Sequence, residues 1–152
     1  MILYGRNAVH EALRAGRRPV RRAWATKGAA REPWLAAAGV PVEVVDAAAV
    51  AARCGSDAHQ GICAEAGPYP YADAPALLAA GDGVLVVLDE VQDVQNLGAI
   101  ARTAECAGAA GLLIGERRSA EVTPAACKAS AGAVEHLPVA RVRNVADALG
   151  ED

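Results

Sequence analysis

The sequence contains no phenylalanine, and two tryptophans and three tyrosines bring aromatics to only 3%. A chain so poor in rings argues against the class of RNA binder that stacks successive bases on an aromatic platform. Its core has to be built from Val, Leu, Ile and above all Ala, which fills about a quarter of the chain, well above its ordinary share. Cysteine is sparse and badly spaced for chemistry. Cys54, Cys63, Cys106 and Cys127 form no C-x-x-C pair, so they read as small core residues in a reducing compartment. His10, His59 and His136 show no metal-ligand spacing, and no metal site is expected. The start MILYGRNAVHEAL lacks the apolar region of a signal peptide. The apolar run Val84 to Leu88 is far too short to cross a bilayer. A cytoplasmic protein without membrane contact is the expectation.

What remains is a chain of 152 residues, room for one ordinary domain or two small ones. Such a chain buries roughly two thirds of its unfolded surface. The net charge of -3 hides a polarised distribution. Residues 1–31 hold eight Arg or Lys and one acid, Glu11, whereas residues 32–95 hold ten acids and one base, Arg53. A basic head on an acidic chain suggests an anionic partner at that end; the plainer reading is a solvated helix face and a charged turn. Arg14, Arg17, Arg18, Arg21 and Arg22 are the candidate phosphate contacts.

The pattern of elements falls into two halves. In the first, Asn7 caps a helix over 8–15, Arg17 to Arg22 is a basic turn, and a strand begins at Ala23. A helix over 34–38, a strand over 42–45, a helix capped by Asp46 and a strand over 60–66 follow. Three prolines and a glycine in GPYPYADAP then mark a linker, taken as 67–81. In the second half, Val84 to Leu88 reads as a parallel strand buried on both faces. A helix from about Leu97 to Ala107, capped by Asn96, leads to a strand over 111–114. A helix over 124–129 capped by Thr123, a strand over 137–140 and a helix opened by Asn144 complete a β-α-β-α-β-α order. This is half of a doubly wound domain, and the last strand and helix are expected to lie uncovered.

In such sheets, ligands bind beyond the carboxyl ends of the strands. Asn96 stands there at a helix start, with the small Gly98 and Ala99 leaving the first turn open to a phosphate. Arg102 follows one turn and a half later and leans back toward the same mouth. Taken by spacing, the pair is equally an N-cap and a surface arginine paired to Glu105. Arg117 and Arg118 stand at the exit of the next strand, and Lys128, Ser130 and Gly132 lie in a small-residue stretch that reads mostly as packing.

The run LDEVQDVQNLGAIARTAECAGAAGLLIGERRSAEVTPAACKASAGAVEHLPVARVRN closely resembles the SpoU/TrmH ribose methyltransferases. Its first stretch looks like that family's motif 1, in which an Asn and an Arg are functional; these are Asn96 and Arg102 here. The segments YGRNAVHEALRAGRRPVRRAW and AHQGICAEA resemble the recognition domain of the RlmB-like subgroup, whose fold is similar to ribosomal protein L30e. One departure is Val94, where the family usually has Pro.

The resemblance implies an α/β protein in two parts: an L30e-like RNA substrate-binding domain (1–66), and after the linker the first half of a Rossmann-like α/β-knot, or SPOUT, methyltransferase domain (82–152). It implies methyl transfer from S-adenosyl-L-methionine to a ribose 2′-OH, with 23S rRNA as substrate, and the homodimer usual in the family. Motifs 2 and 3, which in the family form the trefoil knot and most of the cofactor pocket, do not occur in these residues. The expectation is therefore a truncated chain, inactive alone, with cofactor contacts beyond residue 152. The alternative is a non-catalytic RNA-binding protein that keeps only the recognition domain and half of the catalytic fold.

Overall fold

The computed structural model describes residues 1–150. It divides into two compact units, Met1–Tyr69 and Pro70–Asp152.

The first unit is built on a four-stranded mixed sheet, order β1-β4-β2-β3, from β1 (Ile2–Tyr4), β2 (Val20–Ala25), β3 (Val42–Val44) and β4 (Ile62–Ala66). β4 pairs antiparallel with both β1 and β2, and β3 lies parallel to β2. Strand β1 and an early start for β2 are the corrections to the sequence pattern, which had the chain open on a helix and made 17–22 a turn. Helix α1 (Arg6–Ala15) begins one residue before the expected cap. Gly5, at φ 92°, turns the chain directly from β1 into the helix, and its N–H donates to the Ile62 carbonyl at 3.2 Å. Asn7 is consequently an exposed helical residue and caps nothing. Helices α2 (Pro33–Ala36) and α3 (Ala47–Cys54) follow, the latter capped as expected by Asp46, which accepts from the Ala49 N–H. Leu3, Val9, Leu35, Val50 and Ile62 are the large residues of this core. Trp24 packs with Val50 and Cys63 while Arg22 and Arg53 lie over its ring at 5.2 and 4.8 Å, so its ring is engaged inside the unit.

The second unit carries a three-stranded parallel sheet, order β5-β6-β7, from β5 (Leu85–Leu88), β6 (Gly111–Gly115) and β7 (Val139–Val142). Residues 67–81 are not a plain linker. Tyr71 accepts a hydrogen bond from the Val122 N–H at 2.9 Å, the Ala72 N–H donates to the Val139 carbonyl at 2.8 Å, and α4 (Ala74–Ala79) follows, capped by Asp73. Helix α4 and α7 (Val145–Gly150) bury Leu77, Leu78 and Ala148 around Leu113 and Ala140. Alternation turns Leu112 and Ile114 to the other face of β6, where α5 (Val94–Cys106) lies against that strand with α6 (Pro124–Ala129) beside it.

This sheet is open at its beginning, and its end is only partly covered, as expected: no residue of α7 is buried and Leu149 is 55% exposed. The outer edge of β7 is occupied by Ala72, and α7 packs on the sheet. By contrast β5 is bonded on one side only; Leu85, Val86 and Val87 are half-buried, and Val84 is 70% exposed. The reading of Val84 to Leu88 as buried on both faces is thus corrected: only Leu88 is buried. Beside it runs an apolar groove of about 410 Å³, lined by Val86, Ala99, Ile100, Thr103, Ala104 and Ala107. Among the described residues, no helix is long and apolar enough to cross a membrane, and no cluster of His, Cys, Asp and Glu could hold a metal. All four cysteines are free thiols; Cys63 and Cys127 are buried as expected of core residues, but Cys106 is exposed. Burial, followed by the nearby Cys54, pushes the Cys63 thiol up to about 11.

Candidate functional site

Three strands of the second unit end side by side, and their exits form a cleft of about 520 Å³. Asp89 and Glu90 come from the end of β5, Arg117, Arg118 and Ser119 from that of β6, and Arg143 and Asn144 from that of β7. Two of these residues hold left-handed backbone: Glu90 at φ 55° and Arg118 at φ 51°. Such conformations cost about 1–3 kcal/mol each and are kept where the surroundings over-determine them. Here the two side chains form an ion pair. The Asn144 side chain accepts from the Ala146 N–H at 2.9 Å and caps α7, as its position in the sequence predicts. Arg117 and Arg118 therefore do stand at the exit of β6, in the lining of the cleft. Arg143 joins them, a residue that sequence reasoning missed although it occupies the equivalent place one strand later.

Motif 1 is placed differently. Asp93 caps α5, accepting from the Gln95 N–H at 2.6 Å, so Asn96 lies inside the first turn and is not the cap. Val94 is the first helical residue. Proline is at home there because its missing N–H costs nothing, and valine keeps the same helix start. Asn96 and Arg102 are both exposed. Six residues put them about 9 Å apart along the axis and about 120° apart around it. Among the described residues Arg102 meets no acid; the i,i+3 pairing with Glu105 is not formed. Neither residue lines the strand-end cleft.

Gly98 has a packing role. A Cβ there would lie 2.4 Å from the Ala129 Cβ and 2.8 Å from the Ser130 nitrogen. The bare turn expected to admit a phosphate is filled by α6. Ser130 is fully buried and its hydroxyl donates to the Cys127 carbonyl at 3.0 Å, so the small-residue stretch serves packing, as its pattern suggests.

The basic head of the first unit is partly neutralised. Arg14 pairs with Glu11 at 3.3 Å. A register shift in β2 between Val20 and Arg22 breaks the strand's alternation, and both Arg21 and Arg22 reach Glu65, at 3.8 and 2.9 Å. The hydrogen bond from Arg22 holds the Glu65 carboxyl below its ordinary range, with the charges of Arg22 and Arg21 adding to it. Arg18 has to be withdrawn from the candidate phosphate contacts. It is 5% exposed, its Nη1 donates to the Gly67 carbonyl at 3.1 Å, and its guanidinium lies 5.5 Å from the centre of the Tyr69 ring. Arg14, Arg17, Arg21 and Arg22 remain on the surface.

Residues 2–72 match the family model described as RNA 2′-O ribose methyltransferase substrate binding, and residues 83–151 match the SpoU rRNA methylase family. Both parts of the chain are thus similar to SpoU-type RNA methyltransferases. A putative TrmH family tRNA/rRNA methyltransferase of Staphylococcus haemolyticus is 35% identical over 99% of this chain and 64% of its own length. An uncharacterized tRNA/rRNA methyltransferase of Synechocystis is 38% identical over 97% of this chain and 41% of its own. The chain thus spans between about two fifths and two thirds of the length of these curated relatives. Among solved structures, the AdoMet-bound rRNA methyltransferase of Sinorhizobium meliloti superposes with a TM-score of 0.71 at 24% identity, over 92% of this chain and 53% of that one. The SpoU methyltransferase AviRb of Streptomyces viridochromogenes, in complex with AdoMet, gives 0.72 at 22% identity, over 95% of this chain and 56% of that one. These likenesses show the fold alone: a mixed-sheet α/β unit followed by a SpoU-type parallel α/β unit.

The strand-end cleft does not by itself suit S-adenosylmethionine. Its lining is arginine, carboxylate, Ser and Asn, with only Val145 and Ala146 adding apolar side chains. That donor set suits phosphate and sugar hydroxyls but offers no apolar slot for an adenine ring.

Proposed function

We propose that the chain serves RNA 2′-O-ribose methylation, with S-adenosyl-L-methionine as methyl donor. The first unit would hold the RNA and the second would supply motif 1. The reading is supported above all by the order of the two matched segments, which together run through nearly the whole chain. The match of residues 83–151 to a methylase family disfavours a purely RNA-binding protein. The RlmB-like segments of the first unit favour 23S rRNA as substrate, free thiols suit a cytoplasmic setting, and the apolar groove along α5 offers a surface for the family's homodimer.

When bound, S-adenosyl-L-methionine would supply the methyl group and leave as the neutral thioether, while the proton of the ribose 2′-OH would pass to water. Arginine keeps its own proton to pH above about 12, so Arg102 acts as a fixed cation: it holds a phosphate and stabilises the oxygen as negative charge develops there. Its exposure and its lack of an acidic partner among the described residues support that role. Asn96 orients the ribose from the same helix. Arg14, Arg17, Arg21 and Arg22 bind backbone phosphates on the first unit, and Arg117 and Arg118 do so at the strand-end cleft.

The test is methyl incorporation into ribosomal RNA by the full-length gene product. Arg102→Ala is expected to lower kcat by about a hundredfold or more, the scale of a lost electrostatic stabiliser, with Tm unchanged. A near-normal kcat would remove Arg102 from the chemistry, and absence of RNA methylation by the unaltered protein would overturn the reading.

A further inference from the structure

The first unit holds a second cleft, of about 200 Å³, lined among others by Arg6, Thr26, Glu32, Trp34, Gln60 and Ile62. We propose that it receives a single unpaired nucleobase of the RNA. The proposal rests on the reading of this unit as RNA-binding and names the place where a base, as distinct from a phosphate, is recognised.

The first observation is the wall. Trp34 is half-buried at the cleft, and its ring is braced by His10, stacked at 4.5 Å between centroids with 19° between planes. A braced indole is a rigid, flat surface that any base can stack on. Ile62, buried in the core, closes the floor of the cleft. One such ring suffices for one base, so the scarcity of aromatics is no obstacle.

The second observation is the turn His59-Gln60-Gly61. Gln60 is held at φ 54°, in the left-handed region. The turn is fixed from several sides: His59 Nδ1 accepts the Gly61 N–H at 2.9 Å, and the Gly61 carbonyl accepts the Thr26 N–H at 2.8 Å. A Cβ at Gly61, whose φ is +81°, would lie 2.7 Å from Thr26 Oγ1. Strain kept in place this firmly commonly marks a working residue. Its product is an oriented amide. Gln60 Oε1 accepts the Arg6 backbone N–H at 3.0 Å, which leaves the Nε2 donors as the free end. They meet no acceptor among the described residues.

The third observation is the rim. The Arg6 guanidinium pairs with Glu32 at 2.8 Å, so donors and an acceptor stand together beside the stacking surface. A nucleobase matches this set, with a flat face for Trp34 and an edge of mixed donors and acceptors. A bare phosphate would leave the flat face of Trp34 unused. The exposed Lys27 and Arg31 neighbour the lining residues in sequence and suit the backbone on either side of the bound nucleotide.

The experiment measures binding of a fluorescently labelled RNA hairpin, with an unpaired loop, to the 152-residue chain by anisotropy; a blunt duplex of equal length is the reference. Trp34→Ala is expected to weaken hairpin binding about tenfold, the scale of one lost base stack, and Trp34→Tyr to restore most of it. Gln60→Gly removes the amide while relieving the left-handed backbone; it is expected to weaken hairpin binding several-fold with Tm unchanged or raised. Duplex binding should be unaffected by either change. If the variants bind the hairpin as the unaltered chain does, the base site is overturned while RNA binding by this unit stands. If the unaltered chain binds neither RNA, both readings fall.

Discussion

Gly98 and Ala129 approach so closely that the glycine's missing methyl is the space the alanine occupies: a Cβ would sit 2.4 Å from the alanine's own. Gly98→Ala should therefore destabilise the second unit even though alanine is the better helix former. The propensity gain is at most about 1 kcal/mol, and forcing α5 from α6 costs about 1–3 kcal/mol or more. The net expectation is a lowered Tm by calorimetry. An unchanged or raised Tm would show that the two helices part easily.

Arg18 and Arg17 are neighbours with opposite fates. Arg18 is buried against Gly67 and Tyr69, whereas Arg17 is exposed. Arg18→Ala should cost about 1–3 kcal/mol, because the Gly67 carbonyl is left without its charged donor, while the dependence of RNA binding on salt stays as it was. Arg17→Ala should leave the stability within about 0.5 kcal/mol of the unaltered chain's, yet reduce the salt slope by about 0.7–0.9, the effect of one neutralised phosphate. Equal salt slopes in the two variants would make the basic head a solvated surface only.

The contact between Arg22 and Glu65 gives the first unit an acid dependence of known sign. The Glu65 carboxyl is held below its unfolded value, chiefly by the hydrogen bond from Arg22. Its contribution to stability is therefore full above the unfolded carboxylate range and fades as pH falls through the lower, folded value. Arg22→Gln should raise the Glu65 titration toward the ordinary range, with Arg21 retaining part of the effect. A carboxyl NMR titration reads this directly; an unmoved Glu65 midpoint would assign the depression to other charges.

The sequence announced elements where local chemistry decides them. Asp46, Thr123 and Asn144 cap the helices they were expected to cap, because a short polar side chain before an alanine-rich run has little else to bond. Asn7 and Asn96 carry the same signal and cap nothing: Gly5 and Asp93 had already started those helices. Tertiary effects were the hidden part. Nothing local shows that Arg18 turns inward, that a register shift sends Arg21 and Arg22 to one carboxylate, or that β5 is an edge. The strand-end arginines 117 and 118 were legible because the end of a parallel strand is itself legible. The H-Q-G turn was visible as part of a resemblance but not as a device, since its meaning lies in a positive φ and in the backbone of Arg6.

The distribution of the few rings divides the molecule optically. Both tryptophans, Trp24 and Trp34, fall in Met1–Tyr69, and the only aromatic ring of the Phe, Tyr or Trp type after residue 69 is Tyr71. Tryptophan emission is thus a private channel of the first unit. Tyr71, half-buried and bonded to Val122, belongs to the second unit, whereas Tyr4 and Tyr69 absorb together with the tryptophans in the first. In one cuvette, with no label added, whether the two units melt together can be read from whether tryptophan emission and the far-ultraviolet circular dichroism of both units change at one temperature.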